Sequence, residues 1–141
     1  MYKRKAQVLF VSAHGRAAAP MAAALANRLG ADWLIGRAAA LSPADPTPEL
    51  AARLVGISPA PVAIEALSED LKAWADLIVH FDAALPERMG ALPPTARRKH
   101  WPLAADAGTP SDALETELRA RILGMVGGMR MLARSSTEAD D

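Results

Sequence analysis

Ser12, His14 and Arg16 stand at alternate positions of one short segment, S-A-H-G-R, and bring a hydroxyl, an imidazole and a guanidinium into a single loop. A serine hydroxyl ionises far above neutrality, so as a nucleophile it needs an adjacent base, and His14 is the nearby candidate. The plainer alternative is that neighbouring loop side chains diverge and Ser12 bonds to its own loop backbone. Arg16 has two readings as well. It folds inward and clamps an oxyanion bidentately, or it points to solvent from the crest of the loop. The loop of Ser12, Ala13, His14, Gly15, Arg16, Ala17 and Ala18 lies between the apolar run Val8 to Val11 and Pro20, a first-turn helix proline. A turn of small residues between strand and helix aims backbone NH groups and a helix N-terminus at one point, which suits phosphate or sulfate.

Little else in the chain offers chemistry. His80 and Asp82 flank Phe81 and read as the end of a strand followed by a helix cap, and the three histidines have no zinc-ligand spacing. Asp106 is an acid candidate in a loop near the far end of the chain. No metal or cofactor is expected. The absence of cysteine rules out disulfides, thiolate metal sites and any cysteine redox relay within this chain.

The elements that must hold the loop follow from pattern. The chain has 141 residues, 51% of them hydrophobic, which fits one domain with a core of its own. Strands are expected at Gln7 to Val11, Leu34 to Ala38, Leu77 to Phe81 and Arg98 to Trp101, alternating with helices as in an α/β domain with a parallel sheet. The first helix runs from about Ala19 to Leu29 and stops at Gly30. Thr47 followed by Pro48 opens a second, Ser68 a short third, and Ser111 to Ala133 the last. In that last helix Leu114, Leu118, Ile122, Met125, Val126, Met129 and Leu132 recur at steps of three and four and mark a buried stripe. Gly124, Gly127 and Gly128 weaken it by roughly 1 kcal/mol each, so a close helix contact or a bend is expected there. Trp33 and Trp101 are expected at strand ends with one ring edge exposed. Residues 1–134 form the domain, and the polar SSTEADD tail, 135–141, is expected to be disordered.

The formal net charge is zero, which argues against nucleic acid or an anionic membrane as partner. No run approaches the roughly 18 apolar residues of a membrane span, and the strand that Tyr2 to Lys5 lead into is too short and wrongly flanked for a signal peptide, so the cytoplasm is the default location.

The segment V-L-F-V-S-A-H-G-R-A-A-A-P-M-A-A-A resembles the low-molecular-weight protein tyrosine phosphatases and the thioredoxin-coupled arsenate reductases, which read roughly V-L-F-V-C-x-x-N-x-x-R-S-x-M-A-E-A. The likeness extends from about Ala6 to Ala133. Trp33 to Ala40 lines up with the second strand and its S-A-G signature, Asp45 to Ile57 with the following helix, and LSEDLKAWADLIVHFD, Leu67 to Asp82, with the L-x-x-x-D-L-x-x-A-D-L-I-V-x-M-D segment. Lys99 to Asp106 corresponds to W-x-L-x-D-P.

The resemblance implies a doubly wound, four-stranded parallel sheet in the order 2-1-3-4. It places Ser12 at the nucleophilic cysteine, Gly15 at the loop asparagine, Ala18 at the phosphate-clamping arginine, Ala19 at the assisting serine and Ala105 at the general acid, with Asp106 one residue late. What it implies is a degenerate member: no catalytic residue, an anion loop holding phosphate or sulfate weakly, and a binding or regulatory role with an unidentified protein partner or a second copy of the chain. A slow phosphatase or other hydrolase built on Ser12, His14, Arg16 and Asp106, and a remnant with no ligand, are the alternatives.

Overall fold

A computed structural model describes the backbone of residues 4–140 and side chains of residues 4–133; Tyr2 and the rest of residues 1–3, and residue 141, lie outside the described residues. In chain order the elements are β1 (Ala6–Ser12), α1 (Ala18–Leu29), β2 (Leu34–Ala40), α2 (Pro48–Ile57), β3 (Ile64–Ala66), α3 (Glu69–Trp74), β4 (Leu77–His80), α4 (Leu85–Met89), β5 (Arg97–His100) and α5 (Asp112–Asp140). Every strand pairing is parallel, and the sheet order is β3-β2-β1-β4-β5.

The expectation of four strands is therefore corrected to five. Without β3 the order is the expected one. The added edge strand has three residues, too few to show a period-two pattern, and it follows Pro59 and Pro61 in a stretch that reads as loop. The five-residue helix α4 also escaped the sequence reading.

β1 is central. Val8, Leu9, Phe10 and Val11 are wholly buried because both faces of the sheet are covered. Val8, Phe10 and Val79 pack with α1 and with Leu114, Leu118, Ile122 and Val126 of α5, while Leu9, Val11 and Ile78 pack with Leu71 and Ala75 near α3 and with Leu85 and Met89 of α4. In α1 every residue from Ala18 to Ala26 is buried, which explains a helix apolar on all sides. Thr47, Ser68 and Ser111 each accept an NH at a helix start, from Leu50, Leu71 and Leu114.

Several expectations about α5 change. Leu132 is 72% exposed, off the buried stripe, and Gly124, Gly127 and Gly128 have open space where a Cβ would stand. The close approach of α5 falls at Gly30 instead, where a Cβ would come within 2.8 Å of Val126 Cγ2. The expected polar tail, 135–141, lies outside the residues whose side chains are described. Trp101 is buried against Phe10 and Phe81, with no exposed ring edge. Among the described residues no helix is long and apolar enough to cross a membrane.

Candidate functional site

In a doubly wound sheet the crevice opens at the carboxyl ends of the strands where the chain direction of winding reverses, here beyond β1 and β4. A cleft of about 200 Å³ lies there, lined by Ser12, Ala13, His14, Gly15 and Arg16 after β1, Phe81 and Asp82 after β4, and Ala107 and Gly108 before α5. The sequence-predicted loop is thus on the wall of the cleft, except for Ala17 and Ala18. Those two are wholly buried behind it.

The loop backbone is held by the β2–α2 connection. Leu41, Ser42 and Ala44 donate NH groups to the carbonyls of Ser12, Ala13 and His14 at 3.2, 2.9 and 2.9 Å. Because a trans peptide sets each carbonyl opposite the next NH, fixing these carbonyls outward turns the NH groups of Ala13, His14 and Gly15 the other way. The Gly15 NH is consumed by Ser12 Oγ at 2.8 Å. Those of Ala13, His14, Arg16 and Ala17 have no acceptor among the described residues. Gly15 makes the turn with φ +69°, and a Cβ there would lie 2.5 Å from Ile64 Cγ2 of β3.

The structure does not bring the other chemical candidates together. His14 Nδ1 donates to the Ser42 carbonyl at 3.2 Å, so its imidazole serves the β2–α2 connection rather than Ser12. Arg16 is exposed on the cleft rim and pairs with no carboxylate among the described residues. Asp106 does not line the cleft. Its carboxylate closes its own turn, accepting from the Gly108 NH and the Thr109 hydroxyl, both at 2.9 Å. The Gly108 NH and then the Thr109 hydroxyl hold this carboxyl below the usual range, which keeps it ionised and unable to give a proton at neutral pH.

Two contacts fix the loop that carries Ala105. Glu117 of α5 accepts the NH groups of Ala104 and Ala105 at 2.7 and 2.9 Å, and the Ala107 carbonyl accepts the Ala18 NH at 3.0 Å. The second contact removes one helix N-terminal donor from the anion's reach and aims a carbonyl oxygen at that helix end. Phe81, Asp82 and Glu117 were not singled out as site residues by the sequence. Asp82 reads as a helix cap, but Ala84 holds the N-cap position of α4 without a side-chain cap, and Asp82 instead closes the preceding turn by accepting the Ala84 NH at 2.9 Å; nothing local to Glu117 reveals a partner twelve residues away.

No protein-family model and no curated protein matches the chain. Solved structures do. A thioredoxin-dependent arsenate reductase of Corynebacterium glutamicum superposes with a TM-score of 0.74 at 18% identity over 93% of this chain and 65% of that one. The chain thus spans just under two thirds of that reductase. The arsenate reductase of Archaeoglobus fulgidus gives 0.66 at 24% identity, covering 85% and 98% of the two chains. The arginine phosphatase YwlE, as a Cys-to-Ser mutant with a phosphorylated active-site serine, gives 0.68 at 17% over 88% and 95%. A second YwlE mutant, from Bacillus subtilis, gives 0.69 at 16% over 89% and 99%. The chain has the low-molecular-weight phosphatase fold. The strand, loop and helix around Ser12 stand at the switch point of the sheet, and the strand order is the expected one apart from the extra β3 edge.

Proposed function

We propose that this chain is a catalytically silent protein on the low-molecular-weight phosphatase fold, whose β1–α1 loop binds a small oxyanion without turning it over. The observation that carries the reading is the fixed loop backbone: three successive carbonyls are tied to the β2–α2 connection, and the NH groups of Ala13, His14 and Arg16, in a loop that lines the cleft, have no acceptor among the described residues. That arrangement needs no cysteine and survives alanine at positions 17, 18 and 19.

Silence is supported by what the side chains near the loop are doing. Ser12 Oγ is engaged by Gly15, His14 by Ser42 and Asp106 by its own turn, so nucleophile, base and acid are each occupied elsewhere. YwlE carries phosphate on a serine in its mutant form. Such a serine in this chain would have neither a base to activate it nor an acid to release the leaving group. With no cysteine in the chain, thiol-dependent reduction of arsenate lacks its intermediates as well.

Binding is expected to be weak. A bidentate, charge-assisted contact contributes roughly 1.5–3 kcal/mol, so its absence at Ala18 lowers affinity by about one to two powers of ten, to on the order of millimolar for phosphate. Titration with phosphate, followed by NMR, should shift the amides of Ala13 to Ala17 with saturation at millimolar concentration. Aryl phosphate hydrolysis should not exceed buffer. Amides that stay still at high phosphate would leave a scaffold without a ligand, and turnover that disappears in Ser12→Ala would make the chain an enzyme.

A further inference from the structure

The cleft has charges of both signs on its wall. Arg16 and the NH groups of its loop bring positive charge to the lining, Asp82 brings a carboxylate, and the largely buried Phe81 adds an apolar surface beside Asp82. Arg16 and Asp82 form no ion pair with each other, and neither has an oppositely charged partner among the described residues. One oxygen of Asp82, Oδ1, accepts the Ala84 NH; the other is engaged by no donor among the described residues. Phe81 packs on Phe10 with ring centroids 6.5 Å apart and on the edge of Trp101 at 6.3 Å.

An anion alone would be drawn to the loop and repelled by Asp82. A ligand that carries a cation a short apolar linker away from its phosphate would satisfy both ends. We propose that the ligand class of this cleft is the phosphate monoesters of small amino alcohols, with the phosphate at the Ala13 to Arg16 loop, the linker against Phe81 and the ammonium at Asp82. The inference rests on the anion-binding reading above and adds the identity of the other end. A cleft of about 200 Å³ is large enough to take a molecule of this size.

The test compares phosphoethanolamine with ethyl phosphate, which differ in the ammonium alone, by amide shifts at Ala13 to Arg16 and at Asp82. Phosphoethanolamine should bind about three- to fivefold more tightly, as expected for a solvent-facing ion pair, and the preference should shrink as salt is raised. Asp82→Asn keeps an oxygen to accept the Ala84 NH and removes the charge, so it should bring the two affinities together while leaving ethyl phosphate as tight or slightly tighter. Equal affinities in the unaltered protein, or a preference unchanged in Asp82→Asn, would overturn the amino alcohol assignment and leave anion binding intact. Shifts with neither compound would overturn both. Glycerophosphoethanolamine, a diester, should bind more weakly than the monoester; equal binding would overturn the monoester class in favour of a lipid headgroup.

Discussion

Gly15 joins the loop's shape to the added edge strand, since its positive φ makes the turn and its missing Cβ admits Ile64. Gly15→Ala is expected to destabilise the protein by about 1–2 kcal/mol from the left-handed backbone alone, and by more once the methyl meets Ile64. The denaturation midpoint in urea measures this; an unchanged midpoint would mean that the turn relaxes freely. Ser12 behaves differently. Ser12→Ala removes an acceptor for the Gly15 NH, a loss of about 1 kcal/mol, and frees that NH toward the cleft. Phosphate affinity should therefore hold or rise slightly while stability falls, and a strong drop in phosphate affinity in the same NMR titration would mean that the hydroxyl itself contacts the anion.

Among the elements, α5 does more than cover the sheet. Its Glu117 carboxylate gathers the NH groups of Ala104 and Ala105, and Arg121 donates to the Pro102 carbonyl at 3.1 Å, so one helix face holds the loop that closes the cleft. Glu117→Ala should raise amide hydrogen exchange at residues 104–108 by at least tenfold, because charge-assisted bonds to an ionised acceptor contribute roughly 1.5–3 kcal/mol each. Exchange that remains slow would place the closure in the Ala18 to Ala107 contact instead. At the opposite edge, β5 exposes Arg97, Arg98, Lys99 and His100 on a strand with one unpaired side. Cations on such an edge oppose pairing with another sheet. Replacing Arg97, Arg98 and Lys99 with threonine should therefore promote aggregation at neutral pH, visible by light scattering, with little change in the cleft's amide spectrum.

For the whole molecule, acid sensitivity should begin well above the carboxylate range. His80 is buried and stacks on His100 at 5.0 Å; burial, followed by the charges of His100 and Arg98, pushes its pKa down despite the Asp82 carbonyl it bonds. The folded state then binds fewer protons than the unfolded one, so stability contributed by neutral His80 is present above the unfolded value of 6.5 and declines as pH falls below it toward the folded value. His80→Gln should flatten the urea midpoint between about pH 7 and pH 5.5. An equal decline in that variant would assign the slope to other groups. The sequence by itself determined the parallel α/β order, the caps at Thr47 and Ser68 and the placing of the β1–α1 loop, because strand burial, capping chemistry and helix entry are local properties written in consecutive residues. It also settled the absence of a thiolate. Only the tertiary structure decided that His14 turns to Ser42, that Asp106 closes on itself, that Leu132 leaves the core and that Phe81 and Asp82 share a cleft with Arg16. Each of those depends on which distant segment meets a side chain, and a hydroxyl, imidazole or carboxylate takes whichever partner the packed fold brings within hydrogen-bond reach.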